Sequence, residues 1–238
     1  MPPEKRKAAL VTGATGDIGG AIVVKLVEQG SFVVATGRDM MRGKELAARL
    51  GPKNCLFKAA DLRKADAVQK LITEKTFNTY PLHVVVACAG VLKMQPISSI
   101  SSKDWQEVLD TNLTGVFTIL QAGLQKMLKY KAGHLIAIGS RWGESGAKNA
   151  SAYAASKSAL RAFIRSLQLE LKDTGIRPTL VSPGSVAGRM AAKVDIKSAS
   201  RYISPQDVAD LISYVISTPD TVIFDEIKIK AYRYDLTS

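Results

Sequence analysis

A chain of 238 residues with 46% apolar and 23% charged side chains is long enough for one substantial core, and its composition excludes a disordered, collagen-like or coiled-coil polymer. Lys and Arg number 33 against 21 Asp and Glu, a net charge of +12 that attracts polyanions at long range; yet the positives run from Lys5 to Arg233 and aromatics make up only 6%, the pattern of a solvated basic surface rather than a nucleic-acid face. Two cysteines, Cys55 and Cys88, and two histidines, His83 and His134, give neither a disulfide framework nor a zinc spacing, and no apolar run approaches the ~18 residues of a membrane span. The expectation is a cytoplasmic protein without signal peptide, metal, membrane or nucleic-acid partner.

In chain order, short β-branched runs alternate with helix-length amphipathic stretches. The strand candidates are AALVT, FVVAT, CLFKA, HVVVACAG, HLIAIGS, PTLVSPG and VIFDEIKI. They are almost continuously apolar, as strands are when helices cover both faces of a parallel sheet, so the expected fold is a doubly wound α/β domain. No linker or repeat divides residues 1–238. Ser101 and Ser102 ahead of Asp104 to Glu107, and Ser204-Pro205 ahead of Gln206 and Asp207, carry helix-start signals.

The first strand runs into TGATGDIGG, with Gly13, Gly16 and Gly19 at three-residue intervals, and a helical pattern follows at once. Strand, glycine turn and helix in that order suit a dinucleotide, because the backbone can approach a pyrophosphate whose charge sits against the positive helix end. At the end of the second strand, where an acid would bind an adenine ribose, stands Arg38, whose forked guanidinium matches a 2′-phosphate; the neighbouring Asp39 is the competing ribose contact. Further on, SAYAASKSAL places Tyr153 and Lys157 four apart, on one helix face, where an ammonium would draw a phenol's pKa toward neutrality. Ser140 ends the strand HLIAIGS, and the carboxyl end of such a strand delivers a hydroxyl to the cleft.

With these motifs the chain resembles the short-chain dehydrogenase/reductase family over nearly its whole length, including NLTG at 112 to 115, ACAG, and SPGSV. The resemblance implies a Rossmann-type, mostly parallel sheet of seven strands with helices on both faces, and a short lid at about 187–203. It implies a catalytic tetrad of Asn112, Ser140, Tyr153 and Lys157: the tyrosine as general acid, the lysine lowering its pKa and holding the nicotinamide ribose, the serine bonding the substrate oxygen, the asparagine supporting a water relay. It further assigns NADP(H) to Gly13, Thr15, Asp17, Ile18, Arg38, Asp61, Leu62, Ala89, Gly90, Pro183, Gly184 and Val186, together with Tyr153 and Lys157. Asp61 at the adenine position also reads as an ordinary helix N-cap. Substrate would meet Ser140, Tyr153 and Trp142, the last being equally readable as packing.

The implied activity is carbonyl reduction of a small ketone or aldehyde, with the reverse alcohol oxidation, in a homodimer or homotetramer whose helices from Trp105 to Leu128 and Tyr153 to Leu171 carry surplus apolar residues. A 3-oxoacyl thioester reductase and a non-catalytic dinucleotide sensor are the alternatives. Three positions depart from the family pattern. Asp17 stands where compact members have their middle glycine, and a carboxylate near a pyrophosphate is expected to point away. Cys88 replaces an asparagine that ties neighbouring strands and reads as packing, and Gly188 replaces a threonine that grips the carboxamide, so that grip is either lost or taken over by Ser185. His83 and His134 are expected to be structural or exposed.

Overall fold

Leu10 and Val11 are sequence neighbours that point to opposite faces of one strand, and both are fully buried, which requires helices on each side. The computed structural model describes residues 6–194 and 202–232. Its elements in order are β1 (Ala8–Thr12), α1 (Asp17–Glu28), β2 (Phe32–Gly37), α2 (Met40–Leu50), β3 (Cys55–Ala59), α3 (Ala65–Ile72), the single turn α4 (Thr76–Thr79), β4 (Leu82–Ala87), α5 (Ser102–Leu109), a π turn (Asp110–Thr114), α6 (Gly115–Met127), β5 (Gly133–Ile138), α7 (Trp142–Ser145), α8 (Ser151–Glu170), β6 (Ile176–Pro183), α9 (Pro205–Ser217) and β7 (Glu226–Ile229).

The described strands form one seven-stranded, all-parallel sheet in the order β3-β2-β1-β4-β5-β6-β7. On one face Leu10, Val34, Val85 and Leu135 pack with Leu120 of α6 and Leu160 and Ile164 of α8. On the other, Val11, Val33, Val86 and Ile136 pack with Ile22 and Leu26 of α1 and Ile212 of α9. Each such side chain contributes about 1.5–3 kcal/mol of transfer free energy. The central strands β1, β5 and β6 are buried end to end, whereas the edges β3 and β7 are only partly so, and this is why the central runs show no polar alternation. The doubly wound, seven-stranded expectation holds. Chain direction across the sheet reverses between β1 and β4, and the cleft opens at the carboxyl ends of the strands there.

Both helix-start signals act as read: Ser101 accepts from the Asp104 amide at 3.0 Å, and Ser204 forms a reciprocal capping box with Asp207 behind Pro205. Some boundaries shift. The final strand, expected from Val222, begins at Glu226, because the Arg177 guanidinium draws the preceding loop inward by donating to the carbonyls of Pro219 at 2.7 Å and Val222 at 2.8 Å. Cys88 to Gly90 lie beyond the end of β4, and the 105–128 helix is divided by the π turn. Of the expected lid, residues 195–201 lie outside the described residues. The described part includes a short parallel bridge between Val186 and Ile203. Among the described residues no helix is long and apolar enough to cross a membrane.

Candidate active site

The turn after β1 is shaped by Gly13, whose φ of +65° disfavours an L side chain and whose added Cβ would sit 2.8 Å from the Ala89 backbone. The Gly16 amide closes the turn on the Gly13 carbonyl at 2.9 Å, and Gly16 begins α1 without any side-chain cap, leaving the first amides of the helix uncapped. Beside the turn, Thr12 Oγ1 accepts from the amides of Cys88 at 3.1 Å and Ala89 at 3.2 Å. These bonds tie the end of β4 to β1 although Cys88 has no amide side chain with which to do so.

A cleft of about 500 Å³ runs from this turn to Tyr153. Every residue that the sequence assigns to catalysis, cofactor or substrate lines it except Asn112. Tyr153 is buried on α8 with the Ser140 hydroxyl close enough to its phenol to influence its titration, and Ser140 Oγ accepts from the Trp142 amide at 3.2 Å. The Trp142 ring stands edge-on to Tyr153 at 5.9 Å, so it both packs and borders the cleft, and neither reading of it excludes the other. One turn on, Lys157 donates to the Ile138 carbonyl at 2.7 Å, with Nζ 5.7 Å from the tyrosine ring centre.

Burial pushes the Tyr153 phenol up, only partly offset by the neighbouring Ser140 hydroxyl, and brings the Lys157 ammonium down to about 8. Desolvation thus raises the phenol where the spacing predicts a pull toward neutrality. Tyr153 holds its proton at neutral pH.

Asn112 sits in the π turn, fully buried. Its Oδ1 accepts from the Val91 amide at 2.8 Å, while Nδ2 donates to the Val91 carbonyl at 3.0 Å and to Ser156 Oγ at 3.1 Å; Ser156 in turn donates to the Tyr153 carbonyl at 2.7 Å. Both amide donors are committed, so this side chain positions the site and does not border the cleft.

At the other end, Arg38 is exposed with no hydrogen bond or ion pair among the described residues. Asp39 is engaged: it caps α2 by accepting from the Arg42 amide at 3.1 Å and pairs with the Arg42 guanidinium at 3.5 Å. Asp61 is not the cap of α3, whose N-cap is Lys64. It binds Arg63, with Nε 2.9 Å from Oδ1, and this pair holds its carboxyl down at about 2. Cys88 borders the cleft with its thiol pushed up to about 12 by burial, an inert packing group. Asp17 does not simply point away: it accepts from Arg189, a cleft residue the sequence reading missed. No local motif announces Arg189, since its partner lies at the opposite end of the chain.

The sequence matches the short chain dehydrogenase family model over residues 7–199, and the chain belongs to that family. It is similar to an uncharacterized oxidoreductase of Staphylococcus epidermidis, 31% identical over 97% of this chain and 99% of that one. Among solved structures it is similar to the closed form of serine dehydrogenase complexed with NADP+, at TM-score 0.90 and 29% identity over 97% of each chain. An actinorhodin polyketide ketoreductase variant with NADPH superposes at TM-score 0.88, 29% identical, over 97% of this chain and 98% of that one.

Proposed function

We propose that this protein is an NADP(H)-dependent reductase of small ketones or aldehydes, able to run in reverse as an alcohol dehydrogenase. The observation that carries the reading is the buried Tyr153 phenol, still protonated and sharing the cleft wall with Ser140, at the end of a cleft that begins on a glycine turn. The cofactor, when bound, supplies or takes up the hydride. Tyr153 gives the proton to the carbonyl oxygen, Ser140 holds that oxygen, and Lys157 keeps a positive charge behind the phenol. The site suits the group: uncapped α1 amides lie at the turn, and the buried Thr36 hydroxyl, which lines the cleft, has no partner among the described residues. Arg38 is available for a 2′-phosphate, whereas Asp39 is already spent as a cap.

Leu92, Trp142 and Met190 border the cleft, an apolar lining that supports a substrate with an apolar substituent. A 3-oxoacyl thioester on an acidic carrier is the second reading, favoured by the +12 charge. We further propose a homodimer or homotetramer, supported by Phe117, 41% exposed on α6, and Leu169, 80% exposed on α8. A monomeric mass in light scattering refutes that assembly. The activity is tested by following NADPH oxidation against a panel of ketones, aldehydes and 3-oxoacyl thioesters. Turnover of ketones or aldehydes above thioesters is expected, a thioester preference favours the second reading, and NADPH binding without any turnover points to a sensor.

A further inference from the structure

Asp17 and Gly188 each break the family pattern in the sequence, and in space they are one feature. Gly188 has a φ of +145°, and a Cβ built on it would fall 2.3 Å from Asp17 Oδ2. A side chain at 188 would have to displace the Asp17 carboxylate from the place it holds. The next residue makes use of that carboxylate: the Arg189 amide donates to Asp17 Oδ2 at 2.8 Å and Arg189 Nε to Oδ1 at 3.3 Å, while a terminal guanidinium nitrogen donates to the Thr15 carbonyl. The guanidinium is held across the turn that joins β1 to α1, with 51% of its side chain open to solvent and both residues on the wall of the cleft.

An unneutralised carboxylate in the first turn of α1 would repel any anion seated at the helix end, and Arg189 cancels that charge in place. The guanidinium keeps further donors on its open side. We propose that Arg189 is a binding residue for the diphosphate of the dinucleotide, closing on it from the side of residues 188–190, and that Asp17 is the positioning residue that aims it. The inference rests on the dinucleotide reading given above. It also accounts for a chain that does without a side chain at 188.

The test is calorimetric binding to the intact chain of two ligands: NADPH, and adenosine 2′-monophosphate, which has the 2′-phosphate but no diphosphate. Arg189→Ala should weaken NADPH by about tenfold, the size of one charge-assisted bond, and leave the monophosphate unchanged. Adding Asp17→Asn to Arg189→Ala should recover several-fold of the NADPH affinity, because the bare carboxylate is gone; a purely structural tie between the two segments predicts no recovery. NADPH affinity of Arg189→Ala within about twofold of wild type, an equal loss for both ligands, or no recovery in the double variant overturns the inference. Failure of wild type to bind NADPH overturns the dinucleotide reading itself, which separates the two.

Discussion

Asn112 Nδ2 lies 3.1 Å from Ser156 Oγ, and this one bond joins the π turn between α5 and α6 to the turn of α8 that carries Tyr153. Ser156 passes the connection on to the Tyr153 carbonyl, and Asn112 also closes both main-chain groups of Val91. The extra residue of a π turn is what places this side chain at the junction.

Removing that amide should be costly. Asn112→Ala leaves the part-buried Val91 N–H and C=O without their partner and removes the amide that donates to the buried Ser156 hydroxyl, a loss of about 1–3 kcal/mol. Urea unfolding of the variant at pH 7 should show the lowered midpoint at unchanged slope, while an unshifted midpoint would mean that water replaces the amide freely.

Lys157 is the buried charge whose cost depends on pH. Its pKa is about 8 in the folded chain against 10.5 ordinarily, so between those values the folded protein has shed a proton that the unfolded chain retains, and wild-type stability rises with pH. Lys157→Met removes the titration and should gain stability over wild type at pH 7. That gain should shrink by on the order of 3 kcal/mol as pH climbs from about 8 to 10.5. A difference constant across the range would show that the ammonium is not penalised by burial.

His134 works at the acid end. Its Nε2 accepts from Arg177 at 2.6 Å, its Nδ1 has no partner among the described residues, and burial with Arg177 and His83 nearby pushes its pKa from 6.5 down to about 3. As pH falls below 6.5 the unfolded chain takes up a proton that the folded chain refuses, so stability declines by about 1.4 kcal/mol per pH unit from this group. His134→Gln, which keeps an acceptor for Arg177, should lose stability less steeply between pH 6 and 4 than wild type. Parallel declines would assign the acid sensitivity elsewhere.

The fold was legible because its signals are local: apolar strand runs, the glycine turn, and Ser204-Pro205 each act where they stand in the sequence. The cleft was legible for a related reason, since strand ends converge on it whichever side chains they carry. What escaped were relationships across the chain. The Asp17 carboxylate, read alone, is a charge that should turn from a ligand; its partner Arg189 lies 172 residues away, and only the packed structure brings them together. The tyrosine's pKa escaped as well, because a four-residue spacing shows that the ammonium is near but not how dry the site is, and desolvation wins. The division of contacts between Arg38 and Asp39 is likewise set by packing: two adjacent charges look alike in the sequence, whereas in the fold Asp39 caps α2.

That division makes cofactor preference a sharp test. Arg38→Ala should weaken NADPH by roughly tenfold to a hundredfold and change NADH little. Asp39→Ala should cost about 1 kcal/mol of stability through the lost cap and leave the NADPH to NADH ratio unchanged. Values of kcat/KM for both cofactors at one ionic strength decide between this and the reverse assignment, in which Asp39→Ala damages NADH use and Arg38→Ala is silent.

The most direct measurement concerns the proton that Tyr153 holds. Tyr153→Phe keeps the ring against Trp142 and deletes only the hydroxyl. With the best carbonyl substrate from the panel, kcat should fall by about a hundredfold or more, the usual contribution of a positioned general acid, while calorimetry shows NADPH binding nearly intact. Turnover by Tyr153→Phe close to that of wild type would contradict the assignment of Tyr153 as the proton donor.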